Sequence, residues 1–358
     1  MRKKTKQVMC GGVPIGGGAP VSIQSMTNTD TRDVQATVEQ IARLQDAGCE
    51  IVRCAVPDSE AAEALGAIRK RIAIPLVADI HFDYRLALAS IRSGADKIRI
   101  NPGNIGGKER LRRVLESARA REIPVRVGVN SGSLEKSLLQ KYGGITAEAL
   151  AESAVRTVRL VEAMDFDQIV VSLKSPDTQL GFQAYCLAAE QLSYPMHIGV
   201  TEAGTPAFGK VKSAVGIGAL LLHGIGDTLR VSLTGDPVEE VRYAKEILAA
   251  AGLRKKGISL VSCPTCGRTR VDLVRMAEEI EEKMEPLSRA RADCGKTPLT
   301  VAVMGCEVNG PGEAADADLG VACGADCGLI FQKGAGRMTV PAEEIVPELL
   351  RRLEDWDG

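Results

Sequence analysis

Residues 97–100 (KIRI), 125–129 (VRVGV) and 168–173 (QIVVSL) are three short runs rich in β-branched residues, each followed by a stretch with helical spacing. They are the middle of a longer series. Residues 21–24 (VSIQ), 51–55 (IVRCA), 76–79 (LVAD), 197–200 (HIGV) and 228–232 (TLRVS) repeat the pattern, and residues 34–47, 147–163 and 237–251 place apolar side chains at helical intervals between them. The strands start 21 to 43 residues apart, the length of a βα unit, and there are eight of them in about 250 residues. That arithmetic predicts a (β/α)8 TIM barrel. A doubly wound sheet would show fewer strands and a glycine fingerprint after the first. Here Gly11, Gly12 and Gly16–Gly18 precede the first strand and read as a turn.

The chain has 358 residues, so a barrel leaves room for a second domain. The expected division is 1–252 for the barrel and 258–358 for a small α+β domain, joined by the basic, glycine-containing stretch 252–257 (GLRKKG). Apolar residues at 45% and charged residues at 25% are ordinary globular values. Lysine plus arginine (45) balances aspartate plus glutamate (46), and aromatics are 3%, which argues against a nucleic-acid surface. The basic N-terminus runs into glycine rather than an apolar stretch, and no apolar run approaches the ~20 residues of a spanning helix, so a cytoplasmic protein is expected.

Catalytic groups of such barrels lie at the C-terminal ends of the strands. Those ends carry Gln24, Ser25, Arg53, Asp79, Arg99 with Asn101, Arg126 with Asn130, Lys174, Glu202, and Arg230 with Ser232. Five of these are cations, and five cations converging on one mouth repel unless an anion joins them. The guanidinium fork suits phosphate oxygens, so the expected ligand is small and phosphorylated. His81 is a further candidate for the ligand, whereas His197 and His223 read as structural. Residues 103–108 (GNIGGK) lack the Ser or Thr of a P-loop and read as a turn opening a helix. Residues 134–144 lengthen the loop after the fifth strand and are expected to form a lid.

Six of the ten cysteines fall between 263 and 327. Disulfides are disfavoured in the expected compartment, so clustered cysteines suggest metal or redox chemistry. Cys263-Pro264-Thr265-Cys266 lets two thiolates reach one metal centre from a single turn, and Cys306 adds a third. Zinc and an iron–sulfur cluster both want a fourth ligand, and no histidine lies beyond 223. Cys294, Cys323, Cys327 and Glu313 all remain open for that place, and Cys323 with Cys327 could form a separate site.

The chain resembles the bacterial 4-hydroxy-3-methylbut-2-enyl diphosphate synthases, in their short two-domain form. The resemblance runs through residues 23–28 (IQSMTN), 78–82 (ADIHF), 98–105 (IRINPGNI), 125–132 (VRVGVNSG), 172–175 (SLKS), 199–204 (GVTEAG), 224–232 (GIGDTLRVS), 262–267 (SCPTCG) and 305–313 (GCEVNGPGE). It implies an iron–sulfur oxidoreductase that opens 2-C-methyl-D-erythritol 2,4-cyclodiphosphate and removes a hydroxyl in isoprenoid biosynthesis, fed by ferredoxin or flavodoxin. It implies a [4Fe–4S] cluster on Cys263, Cys266, Cys306 and Glu313, the carboxylate being the harder and more readily exchanged ligand. It also implies substrate contacts at Arg53, Asp79, Arg99, Asn101, Arg126, Asn130, Lys174, Glu202, Arg230 and Ser232, with Glu202 positioning or protonating the departing oxygen. Two other readings compete: a phosphosugar lyase or aldolase using a Schiff base on Lys174 beside a structural zinc domain, and a cluster-bearing metabolite sensor.

A homodimer is also expected. Helix 237–251 descends about 22 Å away from the catalytic face at 1.5 Å per residue. The six-residue joint spans at most about 21 Å when extended, so bringing Cys263 back to its own mouth requires a taut chain. In a head-to-tail dimer each cysteine domain caps the partner's barrel, and a two-fold axis closes the assembly. The resemblance implies the same arrangement.

Overall fold

The computed structural model describes residues 2–306, 314 and 316–356. The chain divides into two compact units, Met1–Leu253 and Arg254–Gly358.

The first unit opens with an antiparallel hairpin, β1 (Val8–Cys10) and β2 (Val13–Ile15), turned at Gly11 with φ 53°. Gly11 and Gly12 therefore turn a hairpin of three-residue strands, too short to show a periodicity, and Gly16–Gly18 form the turn after it. Eight parallel strands follow: β3 (Ser22–Met26), β4 (Ile51–Ala55), β5 (Leu76–Asp79), β6 (Lys97–Ile100), β7 (Val125–Asn130), β8 (Ile169–Lys174), β9 (His197–Ile198) and β10 (Thr228–Leu229). β10 pairs with β3 through Thr228↔Ser22, and a bridge from Val171 to Met196 joins β8 to the β9 side, so the sheet closes into the expected (β/α)8 barrel.

Helices α1 (Val34–Ala47), α2 (Ser59–Arg69), α3 (Tyr84–Arg92), α4 (Lys108–Ala120), α6 (Ala147–Glu162), α7 (Thr178–Gln191), α8 (Pro206–Leu222) and α9 (Pro237–Ala250) follow the strands in turn. Aspartates start five of them. The carboxylates of Asp33, Asp58, Asp83, Asp177 and Asp236 accept first-turn amides that have no partner inside the helix. The expected lid is instead helix α5 (Lys136–Tyr142). Leu134 and Leu138 are buried in the barrel core, Ser153 donates to Glu135 at 2.7 Å, and Lys141 and Tyr142 both reach Glu152 on α6. Leu134, Leu138 and these polar contacts tie the segment to the barrel wall and to α6.

In the second unit a five-stranded sheet has the order β11 (Ile258–Ser262), β12 (Leu299–Met304), β13 (Leu319–Cys323), β14 (Cys327–Gln332), β15 (Met338–Pro341). The first three strands are parallel and the last two antiparallel. Helices α10 (Leu273–Asp293) and α11 (Ile345–Glu354) complete it. α10 runs straight through Pro286. Its second half is held by tertiary bonds: Ser288 bonds both backbone groups of Ile258, and Arg291 donates to Thr297 O at 2.6 Å.

Candidate active site

Strand alternation decides which side chains share the barrel lumen. Ile98 and Ile100, Val125 and Val127, and Ile169, Val171 and Leu173 pack outward against the helices. Their neighbours Lys97 and Arg99, Arg126 and Gly128, and Ser172 and Lys174 therefore face inward. The same rule turns Ser22, Gln24 and Met26 of β3 inward, so Met26 rather than Gln24 or Ser25 stands at the mouth.

Asp79 is the hub. It lies 3.0 Å from Arg99 Nη1, 3.5 Å from Arg53 Nε and 3.7 Å from His81 Nε2. Burial alone would push its carboxyl up, but Arg53, Arg99, Arg126 and His81 outweigh that and hold it at about 2. Arg99 lies over Gly128, where a Cβ would come within 3.2 Å of Nε, so glycine at this position makes room for the guanidinium. On the far side Arg230 forms a two-pronged contact with Glu240, Nε and Nη2 both 3.2–3.4 Å from its carboxylate oxygens. The Met26 thioether joins the two groups, accepting from Arg53 Nη2 at 2.9 Å and from Arg230 Nη1 at 3.4 Å.

Arg126 departs from expectation. It is the second residue of β7, four before the strand's end at Asn130, and it is fully buried in the lumen beneath the mouth. The mouth expectation counted strand ends only, whereas a long side chain rooted deeper in the lumen reaches the same space from below. None of its three guanidinium nitrogens bonds to a described protein group. Burial, then the nearby Arg53 and Arg99, lower its proton affinity. Burial and then Arg53, Arg126, Arg230 and Arg99 do the same to Lys174, the last residue of β8. Five cations here face two carboxylates, Asp79 and Glu240. A site that depresses its own cations is short of negative charge, and a phosphorylated ligand supplies it.

The remaining predicted residues are less tightly gathered. Asn101 sits just past β6, accepts from the Gly103 amide at 3.1 Å and donates to Ser133 Oγ at 3.4 Å. Asn130 and Ser232 are half-buried, Asn130 ending β7 and Ser232 on the loop after β10. Glu202 is exposed on the loop between β9 and α8, with its backbone in the left-handed region at φ 51°. Such strain in a residue with a side chain costs about 1 kcal/mol or more and clusters at functional sites. His197 is fully buried in the lumen, and His223 caps α8 against Phe182.

Met26 and Glu240 were not singled out by the sequence reading. Carrying the period of two from Ser22 would have found Met26. Glu240 follows Glu239 in the first turn of α9 and resembles an ordinary dipole-complementing acid; only its burial, at 4% exposure, sets it apart.

In the second unit the predicted thiols gather at one end of the sheet. Cys263 follows β11, and its sulfur accepts the Gly305 amide at 3.2 Å. Cys306 is two residues past the end of the adjacent β12. The turn after Cys263 is closed by Thr269, which bonds Cys266 N and O, and Arg270 N donates to Gly305 O. Gly305 lets the turn and the start of α10 pack closely here, since a Cβ would press on the side-chain ends of Leu273 at 2.9 Å and Thr269 at 3.0 Å. The Arg268 backbone amide lowers the Cys266 thiol. Among the described residues no three ligating side chains already converge on one point. Glu313 lies outside the described residues. Adjacent strand ends, an amide aimed at one sulfur and a stabilised second thiol fit a thiolate-ligated cluster, whose sulfurs commonly accept amide hydrogen bonds.

Cys323 and Cys327 do not form the separate site held open above. Cys323 shares the α10-facing core with Val321 and Ile330, while Ala322 and Phe331 pack on the opposite face. Cys323 pairs with Gly328, so alternation puts Cys327 on the Phe331 face, away from Cys323. Cys323 is fully buried, and burial pushes its thiol up to about 11. Cys294 caps α10.

Fold and site together define a (β/α)8 barrel with a phosphate-ready mouth, followed by a cysteine-bearing α+β domain. Residues 5–245 match the GcpE TIM-barrel domain and residues 259–355 the GcpE protein C-terminal domain, and the chain belongs to the GcpE family. It is 56% identical over 354 residues to the 4-hydroxy-3-methylbut-2-en-1-yl diphosphate synthase (flavodoxin) of Caldanaerobacter subterraneus subsp. tengcongensis, covering 99% of this chain and 98% of that one. The enzyme of the same name from Geobacter sulfurreducens is 55% identical over 354 residues, with the same coverage. Among solved structures, a dihydropteroate synthase from Coxiella burnetii in complex with pteroic acid superposes with a TM-score of 0.51 at 13% identity, covering 69% of this chain and 97% of that one; the likeness is one of barrel fold.

Proposed function

We propose that this chain reductively opens 2-C-methyl-D-erythritol 2,4-cyclodiphosphate and removes a hydroxyl, giving 4-hydroxy-3-methylbut-2-enyl diphosphate, with a flavodoxin as electron donor. The observation that carries the reading is identity above 50% along nearly the whole chain with relatives named for that product and donor. The barrel cations and the thiols at the sheet end are the parts such a reaction needs. An aldolase or a metabolite sensor is left without support.

Arg53, Arg99, Arg126, Lys174 and Arg230 hold the two phosphates, and Asp79 keeps the first two oriented between substrates. Asn101, Asn130 and Ser232 supply neutral hydrogen bonds that select the sugar's orientation. Glu202, exposed on the loop after β9, positions or protonates the departing oxygen. A [4Fe–4S] cluster on Cys263, Cys266, Cys306 and Glu313 would supply electrons and a Lewis-acidic iron. Residues 1–252 are the substrate domain and 258–358 the cluster domain.

The working unit is a head-to-tail homodimer. Helix α8 supports a partner surface: Phe208, Val211, Val215 and Leu222 are 58–75% exposed and fall with Gly218 on one a/d stripe, the pattern of a helix packed against another.

The test is an anaerobic one. Purified protein should contain iron and sulfide and convert the cyclodiphosphate when given reduced flavodoxin or a chemical reductant. Cluster-loaded protein that binds the cyclodiphosphate without turnover, or turnover in zinc-loaded protein, would overturn the reading.

A further inference from the structure

Glu240 is on α9, the barrel's outer ring, yet its side chain is buried and directed at the mouth. Three contacts from Arg230, at 3.2 to 3.4 Å, end on its carboxylate, and the Leu233 amide donates to Oε1 at 2.9 Å. One carboxylate thus grips two parts of the same strand end. It fixes the guanidinium of Arg230, and it ties the backbone immediately after Ser232.

The geometry of the grip matters. Arg230 uses its Nε–Nη2 edge on Glu240, which turns Nη1 toward Met26 Sδ at 3.4 Å. Met26 in turn receives Arg53 Nη2 and Nε at 2.9 and 3.2 Å. Arg53 on β4 and Arg230 just past β10 are like charges separated only by β3, and without a fixed partner Arg230 would swing outward to solvent. Asp79 performs the corresponding service for Arg53 and Arg99 on the other side.

We propose that Glu240 is a positioning residue that presets Arg230 and the Ser232 loop for the substrate's diphosphate. It acts through Arg230 and does not touch the substrate. The inference rests on the function proposed above, in which Arg230 binds phosphate. Fixing a flexible side chain beforehand lowers the ordering cost of binding, so the effect belongs to ground-state affinity.

A double-mutant cycle in the cluster-loaded enzyme tests it, with KM and kcat for the cyclodiphosphate measured anaerobically. Glu240→Gln keeps shape and one acceptor oxygen but removes the charge. It should raise KM about tenfold, the scale of one charge-assisted hydrogen bond, with kcat within about twofold. Arg230→Ala should raise KM at least as much, and the double variant should match Arg230→Ala alone. A role confined to folding would lower kcat or active-enzyme content and would add its cost in the Arg230→Ala background; either result overturns the proposal. If Arg230→Ala raises KM and Glu240→Gln does not, the positioning role falls while the function stands. If Arg230→Ala itself leaves KM unchanged, the phosphate assignment of Arg230 falls first. Should Glu240→Gln fail to give folded enzyme, Glu240→Asp keeps the charge, shortens the reach by one methylene and should show the same split in smaller measure.

Discussion

Replacing Asp79 by asparagine tests both tasks of the barrel mouth, stability and ligand affinity. The carboxylate is 4% exposed and touches Arg99 at 3.0 Å, Arg53 at 3.5 Å and His81 at 3.7 Å. Its carboxyl is held at about 2 against an ordinary 3.8, which corresponds to roughly 2–3 kcal/mol at pH 7. Breaking a buried pair from one side leaves the partner cations uncompensated, and such losses run to about 3–5 kcal/mol. Asp79→Asn should therefore cost about 2–4 kcal/mol in urea unfolding at pH 7. The folded carboxyl titrates below the unfolded one, so the stabilisation is complete above about pH 4 and is lost as pH falls from there toward 2. The gap between the native protein and the variant should close across that window. Affinity for a simple anion should fall as well. Arg53 and Arg99 lose the partner that presets them, so inorganic diphosphate should shift the variant's unfolding midpoint less than the native protein's. A variant as stable as the native protein at pH 7, or a gap that stays constant down to pH 3, would refute the hub role of Asp79.

Arg126→Met should weaken cyclodiphosphate binding about ten- to a hundredfold with the cluster absorption unchanged, yet raise the unfolding midpoint of the ligand-free protein, because the buried guanidinium has no protein partner there. A destabilised ligand-free variant would mean the cation is paired in the native protein. Glu313→Ala should leave three cysteine ligands and sharply reduced turnover, and Glu313→Cys should restore four-ligand binding without restoring turnover. Full activity in Glu313→Ala would remove the carboxylate from the ligand set. For the dimer, Arg126→Ala and Cys306→Ser subunits, each inactive alone, should regain activity when mixed and allowed to exchange; no recovery despite proven exchange would assign each cluster to its own barrel.

The barrel was legible because its strands are buried on both faces, so VRVGV and QIVVSL stand out as continuous apolar runs, and because Asp33, Asp58, Asp83, Asp177 and Asp236 punctuate the helix starts. Asp79 and Lys174 were legible as the last residues of their strands. The rest was hidden for three reasons. Arg126 was named, but as a strand-end cation; that it is rooted four residues deeper shows only once the bounds of β7 are known. Glu240 has the local signature of a helix-start acid, and only tertiary burial reveals its task. Segment 134–144 sits where loops usually sit, and Leu134 and Leu138 become informative only once the wall they pack against is known.

The N-terminal hairpin, the element least visible in the sequence, follows from the chemistry of the mouth. A barrel of this class ordinarily fills its lumen with stacked layers of branched apolar side chains. Here Arg53, Asp79, Arg99, Arg126 and Lys174 occupy lumen positions that would otherwise carry valine or isoleucine, so much of the usual apolar filling is missing. Ile51, Val77 and Val170 remain near the N-terminal end, and the chain supplies their partners from outside the barrel: Val8, Cys10 and Ile15 of the hairpin pack on them, all essentially fully buried. Each large apolar side chain so placed contributes about 1.5–3 kcal/mol, comparable to what a buried charge removes. The hairpin packs apolar side chains around the N-terminal end of the lumen, where Lys97 is also buried beside Cys10, while the mouth is charged and open to an anion. Its turn depends on Gly11, whose left-handed φ of 53° an L side chain rarely adopts and where a Cβ would also press on Asp96 and Pro75 at 3.1 Å.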